Sequence, residues 1–247
     1  MTMQKTMKYT LVLLLTTTLA LSCKSSPQPG DAEMTNGDKT TQVEKKVTKK
    51  KDTYRVQEYT EANELGGYAQ AIFAGGCFWC TEAAFERING VVDVISGYSG
   101  GHKDYPEYYE VGKGKTGHTE AIYIYYDPEV ISYSTLLDVL FVAHDPTTLN
   151  RQGPDAGEEY RSAIYYNTDE EKALIDKTIA AWNEANKKKG TIVTEVAPYK
   201  EFWVAEGYHQ NYYELNPNHG YVRNVSRPKV EKVVKTFPEL VKKKYRT

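Results

Sequence analysis

Hydrophobic and polar positions divide the chain into unlike stretches. Residues 9–22 are almost wholly apolar or small, residues 24–65 hold no apolar run, and from about residue 68 apolar positions recur with the periods of strands and helices. Ala71-Ile72-Phe73-Ala74-Gly75 reads as a buried strand, Gly75-Gly76 as a turn, and the segment from Cys77 as a helix whose packed positions are Ala83, Ala84, Phe85 and Ile88. Asn89-Gly90 ends it, and a strand is predicted over 91–95. Residues 96–117 then carry glycine, proline and charge without period, and so long an irregular stretch is a site candidate. A strand over 118–126, rich in Ile and Tyr, stops at Asp127-Pro128. Ser134 is expected to cap a helix bearing Leu136, Leu137, Leu140 and Phe141, and an irregular stretch over 144–159 leads to a strand over 160–166. Thr168 and Glu171 have capping-box spacing for a helix ending near Gly190, followed by a strand over 191–196 and a short helix over 207–215. Pro228 opens a last amphipathic helix with Val230, Val233, Val234 and Phe237, which Pro238 should kink or end. Strands alternating with helices, with no internal repeat, indicate an α+β fold in which a sheet is layered with helices.

A chain of 247 residues could hold two domains, but the composition of its amino-terminal quarter suits no core, so one folded domain is expected over 67–247. Lys5 and Lys8 precede an apolar stretch shorter than the roughly 20 residues that span a bilayer. Residues 1–22 therefore read as an export signal. Cys23 follows directly, before the polar run Lys24-Ser25-Ser26-Pro27, and this junction resembles a bacterial lipoprotein cleavage and acylation site. Residues 23–66 are rich in Lys, Thr, Glu, Asp, Gln and Ser, cannot bury enough apolar surface to offset ordering, and read as a flexible, lipid-anchored tether. The expected location is the bacterial cell envelope, outside the cytoplasm. The lysines at 45–46 and 49–51 are flanked by acids, and the formal charge of −2 becomes more negative once the signal is lost, so no nucleic-acid partner is expected.

Cysteine counting narrows the chemistry. With Cys23 assigned to a lipid, only Cys77 and Cys80 of the three cysteines remain, too few for a structural zinc site or a disulfide framework. A catalytic or redox pair is what is left. Cys77 at a helix start would sit against free N–H groups and the positive end of the helix dipole, which predicts a thiolate formed more readily than in an ordinary cysteine. Phe78 and Trp79 follow at once and would wall a cleft suited to a small apolar group.

Gly76-Cys77-Phe78-Trp79 at a strand-to-helix junction resembles the signature of A-class peptide methionine sulfoxide reductases. Gly97-Tyr98-Ser99-Gly100-Gly101, Thr116-Gly117-His118-Thr119-Glu120-Ala121, His144-Asp145-Pro146 and the run from Asp155 to Ile164 match the same family in the same order, and the resemblance covers about residues 68–226. It implies a two-layer, ferredoxin-like plait with a mixed sheet, no bound cofactor or metal, a thioredoxin-like dithiol as electron donor, and methionine sulfoxide, free or in proteins, as substrate. A monomer is expected. Cys77 takes the place of the nucleophile and Glu120 that of the catalytic acid, whose pKa burial among aromatics would raise. Tyr108 and Tyr160 match the tyrosines that hydrogen-bond the sulfoxide oxygen, although Tyr109 adjoins Tyr108 and the chain has 21 tyrosines. Asp155 and His209 match positions that shape the pocket, and His118 reads as structural because the chemistry already has its acid.

One departure from the family is specific. Where relatives often carry a resolving cysteine in a Gly-Tyr-Cys context, this chain has Gly220-Tyr221-Val222. The internal resolver would then be Cys80, where many relatives have glycine. Residues three apart in a helical turn hold their Cβ atoms about 5 to 6 Å apart, and a disulfide wants about 3.5 to 4.5 Å, so the first turn should distort and the bridge should be easily reduced. A one-cysteine cycle with an external thiol stays open. So do two other readings: a thioredoxin-like thiol-disulfide oxidoreductase built on the Cys77 to Cys80 pair, and a non-catalytic surface lipoprotein that binds a ligand in its aromatic cleft.

Overall fold

The structure, a computed structural model, describes residues 52–246. Its centre is a strand that no face exposes. In β4 (Thr119–Tyr126) every residue is buried, and strict alternation sends Ile122, Ile124 and Tyr126 to one face of the sheet and Ala121, Tyr123 and Tyr125 to the other. Glu120 shares the parity of Ile122, so the only carboxylate of this strand lies on the first face. β4 pairs antiparallel with β2 (Ala69–Gly75) on one side and β3 (Val91–Ser99) on the other. The seven-stranded sheet runs β1 (Tyr54–Arg55), β9 (Phe202–Val204), β3, β4, β2, β7 (Ser162–Tyr166), β8 (Glu195–Pro198), and only the β7–β8 pair is parallel. A separate two-residue ribbon joins β5 (Arg151–Gln152) to β6 (Asp155–Ala156).

The first face is covered by helices. α2 (Phe78–Glu86) lies over β3 and β4, with α4 (Tyr133–Ala143), α5 (Asp169–Ala185) and α7 (Arg227–Thr236) beside and above it. Seven of the nine residues of α2 are buried, so it behaves as a central helix rather than an amphipathic surface one. The short α3 (Tyr108–Val111) and α6 (Tyr212–Leu215) sit in the connections. This mixed sheet with its helix layer is the expected α+β plait.

Several boundaries differ from the sequence reading. The expected end of the tether at residue 66 is corrected: β1 pairs with β9, and α1 (Val56–Ala62) packs Val56 and, just beyond it, Leu65 onto the second face of the sheet. Tyr59 donates to Asp93 at 2.9 Å, and the Thr60 hydroxyl bonds that of Tyr125. Folded structure therefore begins no later than Thr53, itself buried. The strand expected over 91–95 continues to Ser99, past a bulge between Val91 and Asp93. Gly97 permits this, since a Cβ there would come within 2.3 Å of the Phe202 ring and the Trp203 carbonyl of β9. Ser132, rather than Ser134, caps α4 by accepting from the Thr135 amide at 3.1 Å. Thr168 caps α5 as expected, and Glu171 accepts from the Asn167 amide. The strand expected over 191–196 is β8, shifted to 195–198. The signal sequence, the Cys23 lipidation site and the tether up to residue 51 lie outside the described residues.

Candidate active site

β2 ends in a turn that only glycine can make. Gly76 has φ +82°, and a Cβ on it would stand 2.6 Å from the Gln152 side chain. The next residue, Cys77, is the N-cap of α2 with ψ 122°, so it belongs to the turn and not to the helix. This alters the geometry of the cysteine pair. The spacing of two helical residues does not apply, and the two thiols are near enough to shift each other's pKa.

The helix start does not make Cys77 a ready thiolate, and that expectation is corrected. The Phe78 amide, the donor nearest the cap, is given to the Glu120 carboxylate at 3.0 Å rather than to the sulfur. Cys77 is buried, and burial pushes its thiol well above the ordinary range, with Cys80 and Glu120 adding to the effect. Glu120 is buried too, and burial lifts its pKa to about 8 despite the Phe78 amide. Both groups are therefore neutral at neutral pH, since two negative charges in one dry site would be costly. Cys80 moves the other way: the hydrogen bond with Cys77 lowers its pKa.

Two phenols complete the donor set. Tyr108 is held at the start of α3 by its own amide, which donates to Glu206 at 2.8 Å, while Tyr98 donates to the other oxygen of the same carboxylate at 2.8 Å. Its neighbour Tyr109 points outward and is 57% exposed, which decides between the adjacent tyrosines. Tyr160, from the single turn Glu158–Tyr160, brings its phenol beside that of Tyr108. Burial and the nearby Glu120 raise both phenol pKa values, so both keep their protons.

An aromatic wall borders the sulfur. Trp79, half-buried, stacks on Tyr212 with centroids 3.8 Å apart and donates through Nε1 to His209 Nδ1 at 3.2 Å. The His209 ring lies 4.5 Å from Tyr108 and 5.0 Å from Phe78. Burial lowers the His209 pKa to about 4, so it stands as a neutral wall and not as an acid. Phe78 is fully buried and shapes the wall from behind, through His209 and Tyr98. Glu82 steadies this corner by accepting from the amide of Asn211, whose left-handed φ of 55° turns the chain between His209 and Tyr212.

All eight residues expected around Cys77 meet here, namely Phe78, Trp79, Cys80, Tyr108, Glu120, Asp155, Tyr160 and His209. Asp155 reaches the site through a residue that the sequence reading passed over. It accepts at 2.5 Å from the Tyr221 hydroxyl, which also lies within hydrogen-bonding reach of Cys77. The signal was present in Gly220-Tyr221-Val222, where attention went to the missing cysteine. Glu206 and Tyr212 were also missed, as isolated members of common residue types. His118 is structural as expected: Nδ1 accepts from the Gly101 amide at 3.1 Å and Nε2 donates to the Lys103 carbonyl at 2.8 Å, pinning the long loop.

A buried thiol beside a protonated carboxyl and two phenols, under an aromatic wall, defines a thiol-dependent oxidoreductase. Residues 69–241 match the family model described as peptide methionine sulfoxide reductase. A peptide methionine sulfoxide reductase MsrA of Haloquadratum walsbyi is 51% identical over 169 residues, covering 68% of this chain and 96% of that protein. The MsrA of Natronomonas pharaonis is 48% identical over 173 residues, covering 70% and 97%. Among solved structures, methionine sulfoxide reductase A of Corynebacterium diphtheriae matches with a TM-score of 0.57 at 32% identity, over 62% of this chain and 77% of that one. Reduced Mxr1 from Saccharomyces cerevisiae also matches with a TM-score of 0.57, at 36% identity over 62% and 89%. The chain belongs to the peptide methionine sulfoxide reductase family, A class, and is an oxidoreductase acting on methionine sulfoxide.

Proposed function

We propose that the enzyme reduces the S epimer of methionine sulfoxide by direct attack of Cys77 on the sulfoxide sulfur, with Glu120 as the acid. The observation that carries this reading is the convergence of a nucleophile with three neutral proton donors, Glu120, Tyr108 and Tyr160, in one dry site. The methyl group of the substrate fits the wall of Trp79 and His209. Its oxygen faces the donors. Burial keeps Cys77 protonated in the free enzyme, and the polarised sulfoxide sulfur offsets the negative charge that grows on the cysteine as it attacks. Glu120 gives a proton to the oxygen and is reprotonated at the expense of the thiol. Cys77 loses two electrons, the methionine sulfur gains two, and the oxygen ends on Cys77 as a sulfenic acid.

Cys80 then attacks the Cys77 sulfenic acid, expels water and closes a Cys77–Cys80 disulfide, which a thioredoxin-like dithiol reduces. The mutual influence of the two buried thiols in the reduced site supports Cys80 as the resolver. The amino-terminal pattern supports a place in the cell envelope, with Cys23 acylated and the repair of oxidised envelope proteins as the role. Detergent partition of wild type against Cys23→Ala tests the anchor, and a free Cys23 thiol on soluble wild-type protein refutes it.

The direct test of the chemistry is Cys77→Ser assayed on separated sulfoxide epimers. Loss of all measurable turnover on the S epimer is expected, since a neutral hydroxyl is a far weaker nucleophile than a thiolate. Retention of about a tenth of the wild-type rate, or equal wild-type rates on both epimers, contradicts the reading.

A further inference from the structure

Beneath the site, the second sulfur faces a different set of groups from the first. Cys80 donates to the Ser226 hydroxyl at 3.2 Å. Ser226 closes the π-helical turn Val222–Ser226 and leads directly into α7, so Lys229, three residues on, projects from the same helical face. The Lys229 Nζ is buried and has no hydrogen-bond partner among the described residues. A buried ammonium without a partner is costly, and its natural counter-charge here is an anion at Cys80. The two sulfurs also differ in access: Cys77, in the turn before α2, is 5% exposed, and Cys80, in the helix packed against α7, is 1% exposed.

Resting on the reading of Cys80 as resolver, we infer that Lys229 and Ser226 form a thiolate-accepting site for Cys80, which directs the reductant to Cys77 and makes Cys80 the leaving group. An external thiolate attacks the Cys77 sulfur, a new disulfide forms between them, and the electron pair of the broken Cys77–Cys80 bond departs on Cys80. Ser226 turns its hydroxyl to donate, and Lys229 balances the charge. The second thiol of the reductant then attacks its own partner sulfur and frees Cys77 as the reductant leaves oxidised. Thiol exchange is faster when the leaving thiol is more acidic. The hydrogen bond with Cys77 does most to lower the Cys80 pKa, with Lys229 and Ser226 adding to it, against burial and a smaller contribution from Asp155, and Tyr221 and Glu120 are the other ionisable groups facing it. Lys229 also faces His144, which burial keeps neutral.

Peptide mapping of enzyme oxidised with one equivalent of methionine sulfoxide comes first. A Cys77–Cys80 peptide upholds the resolver reading, and its absence overturns that reading whatever Lys229 does. The same oxidised enzyme is then mixed with a thioredoxin-like protein whose second active-site cysteine is replaced by serine. The trapped mixed disulfide is expected on Cys77, and trapping on Cys80 overturns the inference. Lys229→Met should slow reduction of the disulfide by about tenfold or more, the order expected on losing one or two pKa units of leaving-group stabilisation. That loss should exceed any loss in single-turnover methionine release at least several-fold, and Lys229→Arg should recover most of it. In a Cys77→Ser background, the pH profile of Cys80 thiolate absorbance should move upward with Lys229→Met and return with Lys229→Arg. Reduction at the wild-type rate with an unmoved Cys80 titration contradicts the assignment.

Discussion

The two faces of one sheet carry the same residue type to opposite ends. On the face under α2, Tyr98 and Tyr221 donate to carboxylates and Tyr108 and Tyr160 lie beside Glu120, and each holds a proton beside a reacting sulfur or the groups that orient it. On the other face Tyr123 and Tyr125 are buried under the segment from α1 to Leu65, with their hydroxyls spent on Gln70 and Thr60. Burial raises phenol pKa values on both faces. A raised pKa alone therefore marks no site. What separates the faces is Glu120, placed by the alternation of β4 on the helix side, within reach of Cys77 and the helix start.

The comparison breaks most sharply at that carboxyl. Glu120→Gln keeps a hydrogen-bond donor but cannot deliver a proton, and single-turnover methionine release should slow by about 10² to 10⁴. Next come the phenols. Tyr160→Phe or Tyr108→Phe removes one donor while the other remains, so each should cost about 10- to 100-fold in the same step, below the cost of losing an unshared donor. If both variants react at the wild-type rate, the two phenols take no part in the step.

Variants on the opposite face should spare the chemistry and touch stability. Leu65→Ala is expected to lose roughly 2 to 5 kcal/mol in urea unfolding, as for a buried leucine in a core. Tyr125→Phe, which forfeits one hydrogen bond to Thr60, should lose about 1 kcal/mol. Methionine release by the folded fraction should stay at the wild-type rate for both. A tenfold fall in either would mean that the faces are coupled, contrary to the account.

The same contrast shows what the sequence made legible. The nucleophile, its acid and the wall stand in short contiguous motifs, and the family resemblance of the run Thr116-Gly117-His118-Thr119-Glu120-Ala121 singled out Glu120. β9 went unseen because Phe202–Val204 is too short to display a period, and β1 because two residues amid charged ones carry no pattern. The composition of residues 52–66 suggested a tether because its few apolar positions, Val56 and Leu65, are far apart, and they become core only against a sheet built from later residues. Ser226 and Lys229 lie far along the chain from Cys80, with 146 residues separating the partners of the Cys80 to Ser226 hydrogen bond, and no local signal announces such partners. The acidity of Cys77 was misjudged for a related reason: the helix-start rule holds for a donor left free, and Glu120 takes it.

The central claim is that Glu120 works as a neutral acid. Its pKa is raised to about 8, so the proton is present below that value and lost as pH rises through it. The measurement is single-turnover methionine release, followed by rapid quench from pH 6 to pH 10, in wild type and Glu120→Gln. The account predicts a wild-type rate that falls above pH about 8, and a slow Glu120→Gln rate with no fall there. A wild-type rate that holds or rises through this range, or a Glu120→Gln profile with the same descending limb, contradicts it.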